Sequence, residues 1–450
     1  MHSLLYDVPI AAGVCLRMQS NRSALSVLQP NGRVGVRSQA IEGTSVVRED
    51  GARALWAVPQ LSSQAVRYLL SQAEAGGSSM RPVSLPSNVR DSRFDRRNTA
   101  RRLSTRERAE ALCRLADAVR RESADLEVMT IILDELETER ALASSRAGLV
   151  HCAAARTALT LVVASRAAPS SRVHFTGSRF GEWESCGEAL EQLTLAALPG
   201  LVEELARKRQ AIAVVEGWHD VVVASGASGL LAHEAFGHLC EADNIAIGSA
   251  AAGRFGDELA PPFVTVVDDG GRGWDGHSDT AVDIDDEGTP CERVVLIDRG
   301  RLTGAMHDRA SAAACASLAT GNARAESYAD TPLPRMRNTA ILPGMSDPHE
   351  LVAGIRRGYF IGQVTGGHAE LNGDFTFGAS SLHEIVDGRI GRMVHDSTVA
   401  GNAFDVFSGI TGAANNFAWL GNAWCRKQQQ VPVGVGGPSV ATRMWLGGQQ

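Results

Sequence analysis

The segment Leu231-Ala232-His233-Glu234-Ala235-Phe236-Gly237-His238 constrains this chain more than any other. Two imidazoles flanking a carboxylate are what a catalytic zinc site requires. Each neutral histidine offers a nitrogen ligand, and the glutamate beside the first can take a proton from water. The spacing is unusual. In the common HExxH pattern the histidines stand at i and i+4 on one helix face, whereas here they are five residues apart. At ~100° per residue, a regular helix would turn the second ring about 140° away from the first. A one-residue π-bulge would bring the rings back together, and Gly237 is the natural place for it. The spacing therefore predicts a distorted helix over 229–242, and a regular α-helix there would exclude the pair as ligands of one ion. By itself the motif also fits a helix with incidental histidines.

The remainder of the chain allows a large core. Its 450 residues suit two large domains or about three of ~150 residues. Hydrophobic residues at 44% and charged residues at 21% are ordinary globular values. No run of 18 or more apolar residues occurs, which excludes a membrane-spanning helix. A net charge of −7 argues against nucleic acid or an anionic membrane as the main partner. The eight cysteines are scattered and form no CxxC pair, as in a protein of a reducing compartment. Ala12-Gly13-Val14-Cys15 superficially resembles a lipoprotein cleavage site, but Val14 is too bulky ahead of the cysteine. No secretion signal is read, so the cytoplasm is expected.

Along the chain, residues 1–50 read as short strands and turns. A helix follows from Leu61-Ser62-Ser63 to about Ala75, and the polar stretch 77–102 reads as an exposed connector. Ser104-Thr105-Arg106-Glu107 is a capping-box pattern, and Leu112, Leu115, Ala116 and Val119 then recur at helical spacing, predicting a helix over 105–123. Glu127–Leu133, Ala141–Thr160, Val162–Ser171 and Arg172–Gly181 read as strands of an antiparallel sheet. Glu188–Arg209 reads as a helix interrupted by Pro199-Gly200. From Ala211 onward strands, Gly-rich turns and Asp-Gly pairs dominate, so the domain boundary is placed near Lys208.

From about Ala211 the sequence resembles the TldD/PmbA (TldE) family of zinc metallopeptidases. The resemblance rests on ordered segments. Gly229–Asp243 is similar to the metal-binding helix of the TldD-type subunit. Phe263–Gly270, Asp285–Pro290, Thr320-Gly321-Asn322-Ala323-Arg324 and Pro334–Thr339 follow in the family's order. So do Gly366-Gly367, Gly373–Phe377 and Val431–Gly436. Roughly 240 residues are covered, and the first 200 match loosely, mainly in size and around Gly43–Pro59.

The resemblance implies an α+β subunit of two domains, with antiparallel sheets, helices and the HExxxH helix in the C-terminal one. Residues 1–207 would serve dimerisation and form a substrate channel, and 208–450 would form the metallopeptidase domain. It implies one zinc ion per chain on His233, His238 and a cysteine ahead of the tail motif, a position occupied by Cys425, with Glu234 as general base. Cys240 is the competing cysteine. Glu241 and Asp243 match acidic positions of the family, and either role, orienting a ligand histidine or capping a solvated helix end, fits them. Asp268, Asp269, Asp285, Asp286 and Glu287 fit no EF-hand spacing and read as turn residues. His277 is expected at the surface. His368, after Gly366-Gly367, is a candidate for the substrate channel; Arg335 and Asn338 are candidate clamps on a substrate backbone, with structural hydrogen bonding the favoured reading of both. The implied activity is hydrolysis of amide bonds in small or unfolded peptides, by a homodimer or a heterodimer with a TldE-like homologue. A hydrolase of a natural-product pathway, trimming a leader peptide or tailoring a small amide, is the alternative. A non-catalytic partner subunit fits less well, because the whole ligand set is present.

Overall fold

The computed structural model describes residues 10–11, 14–48, 54–75, 82–83, 91–96, 103–144, 148–181 and 183–449. Before Lys208 the described strands, apart from Ile10–Ala11, which pairs with Pro82–Val83, form one seven-stranded sheet. Its centre is the run Val34–Arg48, Val14–Leu28, Leu126–Ser144 and Gly148–Ser165, antiparallel throughout, with Arg172–Phe180 on the last of these. Alternation dictates the two faces. Ile131, Leu133, Leu159, Leu161 and Val163 point to one side, where the helices Thr105–Glu122 and Trp183–Lys208 cover them. Leu16, Met18 and Val46 are covered by Val66, Leu69 and Ala73 of the helix Ser63–Ala75. The capping box is formed as expected: Ser104 Oγ accepts from the Glu107 N–H, and Glu107 reaches back to the Ser104 N–H.

Several sequence expectations need correction here. The segments 127–133 and 141–160 belong to two long strands, because Leu126–Ser144 runs unbroken through its charged middle, Asp134–Arg140. There Arg140 pairs with Asp286 of the C-terminal half, Glu135 with Arg108 and Glu139 with His151, so polarity does not end the strand. Val162–Ser165 completes the strand Gly148–Ser165, and 166–171 is the turn into the next. The helix Trp183–Lys208 is continuous, with Pro199 inside it; one missing N–H is tolerated when packing holds both flanks. Within the presumed connector 77–102, Asp91–Arg96 is a strand paired parallel to Gly148–Ser165, while much of that stretch lies outside the described residues.

Among the described residues after Lys208 there are, besides a short pair of Ala323–Arg324 with Leu333–Pro334, two large sheets. In one, Gly217–Val223, Arg357–Ala369, Asp374–Val386, Ser397–Asn402 and Val440–Gln449 follow one another, and the last pairs back onto the first. That closure leaves no free edge among these five strands. The other sheet has the order Arg301–Leu302, Val294–Asp298, Val266–Asp269, Asn338–Ile341, Gln429–Gly437, Ala418–Lys427. The segment carrying the histidine motif is buried with apolar side chains of both sheets, among them Val221, Ile361, Val433 and Val435. No helix among the described residues is long and apolar enough to cross a membrane.

Buried arginines join the halves. Arg140 Nη1 donates to Asp286 Oδ1 at 2.9 Å, and Asp286 is fully buried. Arg17 donates through Nη2 to the carbonyls of Ser327, Tyr328 and Asp330 at 3.1, 2.8 and 2.7 Å. Burial alone would raise the Asp286 carboxyl, but Arg140 and Arg17 outweigh it and hold it below the usual carboxylate value. Its folded-state pKa is thus depressed, so the stability it contributes is present at neutral pH and is lost as pH falls below the ordinary carboxylate range. Asp286→Asn leaves Arg140 buried without its anion, and a loss of about 3–5 kcal/mol is expected in urea unfolding.

Candidate metal centre

The motif begins as an α-helix, Ala227–Ala232, becomes a π-helix over His233–Gly237, and tightens to a 3-10 turn over His238–Cys240. The widened turn is closed by the N–H of His238 bonding to the carbonyl of His233. The two residues that a regular helix would splay apart are therefore joined by the i→i+5 bond itself. Their rings meet edge to face, with centroids 5.0 Å apart. Glycines allow this. Gly229 packs backbone to backbone on Gly436, and a Cβ on Gly237 would collide with the Met336 sulfur. Phe236 anchors the opposite side of the turn against Phe407 and Phe404, at 4.7 and 5.5 Å between centroids.

Cys425, on the strand Ala418–Lys427, completes a cluster. One potential ligand atom from each of His233, His238 and Cys425 lies within 4.8 Å of the others, and no other such group of His, Cys, Asp and Glu occurs among the described residues. Cys425 Sγ is 3.5 Å from His238 Nε2. Donors at ~2.3 Å (sulfur) and ~2.0–2.1 Å (nitrogen) around a tetrahedral ion stand about 3.5 Å apart. His233 is buried with its Nδ1 unpartnered. Two imidazoles and a thiol suit zinc better than harder cations, so this residue set fits that ion. Cys240 is not in the cluster; burial pushes its thiol up to about 12, with Glu241 adding to the shift.

Charge around the cluster favours a thiolate. Burial raises the Cys425 thiol, yet the His238 and His233 charges outweigh it and hold it well below the ordinary value. Burial lowers His238, while Cys425 and Glu241 lift it well above an ordinary imidazole. Of the two roles open to Glu241, the structure shows the orienting one: it is fully buried, and its Oε2 accepts from His238 Nδ1 at 3.0 Å. That bond leaves Nε2 as the free ring nitrogen facing Cys425. Burial raises the Glu241 carboxyl, but His238, Lys427 and Arg335 bring it down to about 2. Lys427 Nζ lies 3.1 Å from Glu241 Oε2 and 2.8 Å from Asp243 Oδ1.

The cluster forms part of the wall of a cavity of about 1080 Å³. Glu234 lines it, with Oε2 4.0 Å from His238 Nε2. The strand Arg357–Ala369 passes so close that a Cβ on Gly367 would collide with the Glu234 carboxylate. His368 is exposed on the same wall, and His174, Phe175 and Thr176 reach it from the N-terminal half.

Arg335 and Asn338 do not line this cavity, which sets aside the clamp role in favour of the structural hydrogen bonding that the sequence favours. Both are fully buried. Arg335 donates to the carbonyls of Cys425 and Gln429 at 2.9 and 3.0 Å, and Asn338 to those of Asp269 and Gly271 at 3.2 Å. Both residues thus donate to the backbone that carries the site. Among the acids, Asp268 pairs with Arg337 and Asp286 with Arg140, buried ion pairs that turn chemistry alone does not reveal. His277 is exposed, as expected.

A mixed helix-and-sheet chain with a buried His-Glu-His segment and a facing cysteine has the layout of a metal-dependent hydrolase. Residues 216–445 match the PmbA/TldA metallopeptidase C-terminal domain, and the chain belongs to the TldD/PmbA metallopeptidase family. It is 37% identical over 238 residues to a metalloprotease TldD homolog of Haemophilus influenzae, a match covering 51% of this chain and 48% of that protein. With a Methanothermobacter thermautotrophicus metalloprotease the identity is 33% over 324 residues, covering 70% and 68%. A zinc metalloprotease TldD homolog of Saccharolobus solfataricus is 33% identical over 231 residues, 50% and 51% of the two chains. The match thus spans about half the length of two of these relatives. The fold is that of TldE from Thermococcus kodakarensis, with a TM-score of 0.72 at 16% identity over 97% of this chain and 96% of that one.

Replacing Glu241 with Gln removes the anion that fixes His238. Zinc affinity is expected to fall by ~10–100-fold in a chelator competition, with the thermal melt checking that the fold persists.

Proposed function

We propose that the chain is a zinc metallopeptidase that hydrolyses amide bonds of small or unfolded peptides, with residues 1–207 and 208–450 as its two domains. The observation that carries this is the convergence of His233 and His238 with Cys425, which is far from them in sequence, beside Glu234 at one cavity wall. Zinc held by those three residues supplies Lewis acidity, polarising a carbonyl and a water.

The remaining steps belong to the protein. Glu234 accepts a proton from the attacking water at its carboxylate oxygen and delivers it to the departing amine nitrogen. The bare backbone at Gly367 keeps space beside that carboxylate and fixes one of its sides. The 1080 Å³ cavity takes a few residues of extended peptide, and a folded domain is excluded by size.

The family likeness supports pairing, either with a second copy or with a TldE-like homologue, and the fold shared with a solved TldE agrees with that. Seven cysteines are free among the described residues, which agrees with a cytoplasmic, reducing location.

Elemental analysis after dialysis tests the reading. About one zinc per chain is expected, with most of it lost in Cys425→Ala. Glu234→Gln is expected to keep zinc and lose ~10²–10⁴-fold in hydrolysis of unstructured peptides. A metal-free wild type, or full zinc retention in Cys425→Ala, would remove the ligand assignment.

A further inference from the structure

A second cavity, of about 280 Å³, lies between the face of the N-terminal sheet turned toward the C-terminal half and that half itself. It shares Trp424 and Gln430 with the metal cavity, so the two adjoin at the strand that carries Cys425. Most charged groups lining it are already engaged. Arg140 holds Asp286, and Arg324 donates to the carbonyls of Met336 and Pro432. Asp279 accepts from the Asn422 N–H, Glu326 accepts from the Gln430 N–H, and Asp283 is also engaged.

Arg156 differs. It is 5% exposed, and both Nη1 and Nη2 are buried without a hydrogen-bond partner. Its guanidinium lies over the Trp424 ring, 4.6 Å from the centroid. That contact attracts the charge but leaves the in-plane N–H donors unused. Asp134 acts on it only through space: burial raises the Asp134 carboxyl and Arg156 lowers it. A buried guanidinium with idle donors is costly to the fold, and the cost is explained if a ligand completes it.

We propose that this cavity is a carboxylate subsite of the peptide cleft, with Arg156 as its anchor and Trp424 as its wall. The inference rests on the metallopeptidase reading for the ligand being a peptide. The chemistry of the site selects the anion. One free planar fork matches one carboxylate with two parallel hydrogen bonds. The acids Asp279, Asp283 and Glu326 in the lining disfavour a dianion or polyanion. Ile41, Phe94, Leu136 and Phe180 provide apolar surface for the carbon chain that bears it. The carboxylate is either an Asp or Glu side chain or the terminus of the peptide.

Binding is measured by calorimetry on the zinc-loaded full chain carrying Glu234→Gln, so that no turnover intervenes. The probes are acetyl-Ala-Ala-Ala-Glu-amide, its Gln counterpart, and acetyl-Ala-Ala-Ala with either a free or an amidated terminus. At least one carboxylate probe is expected to bind ~10-fold or more tightly than its neutral twin, and which one does so identifies the side chain or the terminus. Adding Arg156→Met is expected to abolish that preference, keep the neutral probes within about 2-fold, and leave the ligand-free melting temperature unchanged or raised. Arg156→Lys retains part of the preference. Equal binding of charged and neutral probes, no measurable binding of any probe, survival of the preference in Arg156→Met, or a clear fall in its melting temperature would each overturn the proposal. Failure of the peptidase reading would show separately, as missing zinc or missing hydrolysis in the wild type.

Discussion

The metal centre depends on one buried carboxylate. Glu241 stands just after the 3-10 turn that ends the histidine helix, and it touches everything that must stay in register. It fixes the His238 ring, lies 3.8 Å from Arg335 and 3.1 Å from Lys427, and accepts from Asn244 Nδ2 at 3.1 Å. Arg335 in turn holds the carbonyl of Cys425, and Lys427 lies two residues beyond that cysteine. His238 and Cys425, 187 residues apart, are thereby held to one point. In a low-dielectric interior such a network is stable only when all its charges are matched, and here the cations outweigh the cost of burying the acid.

The architecture around that point is a set of close approaches. The helix lies against strands from both C-terminal sheets because Gly229 meets Gly436 with no side chain between them. The widened turn then has room for the Met336 sulfur at Gly237. The N-terminal sheet contributes more than a cover, since His174, Phe175 and Thr176 extend the wall of the metal cavity and Arg156 reaches the strand that bears Cys425. Residues of both halves thus line the cavity beside Glu234.

Much of the centre was legible in the sequence. The five-residue spacing of His233 and His238 demanded a widened turn, since helix geometry leaves no other way for both rings to face one ion, and the turn spans His233–Gly237. Cys425 was reached through its register with Val431–Gly436, not through any property of a lone cysteine. For Arg335 and Asn338 the sequence allowed a substrate clamp but favoured structural hydrogen bonding, and backbone carbonyls of distant strands accept from both. Non-local pairs such as Arg140 with Asp286, 146 residues apart, leave no local pattern at all. The charged stretch 134–140 hid a strand for a related reason: alternation is read against water, while here Glu135, Glu139 and Arg140 meet Arg108, His151 and Asp286.

Lysine usage has a chemical consequence of its own. Only Lys208 and Lys427 occur among 44 basic residues. Lys208 Nζ sits 2.6 Å from Asp396 Oδ1 at the joint between the halves, and Lys427 is held by Asp243 and Glu241 at the cavity wall. Guanidinium groups stay protonated and resist acylation, whereas an amine is the usual target of electrophiles. Amine-directed labels and acetyl donors therefore find no side-chain amine free of a carboxylate partner. A label that attaches to Lys208 reports the opening of the joint, and one on Lys427 the opening of the cavity wall.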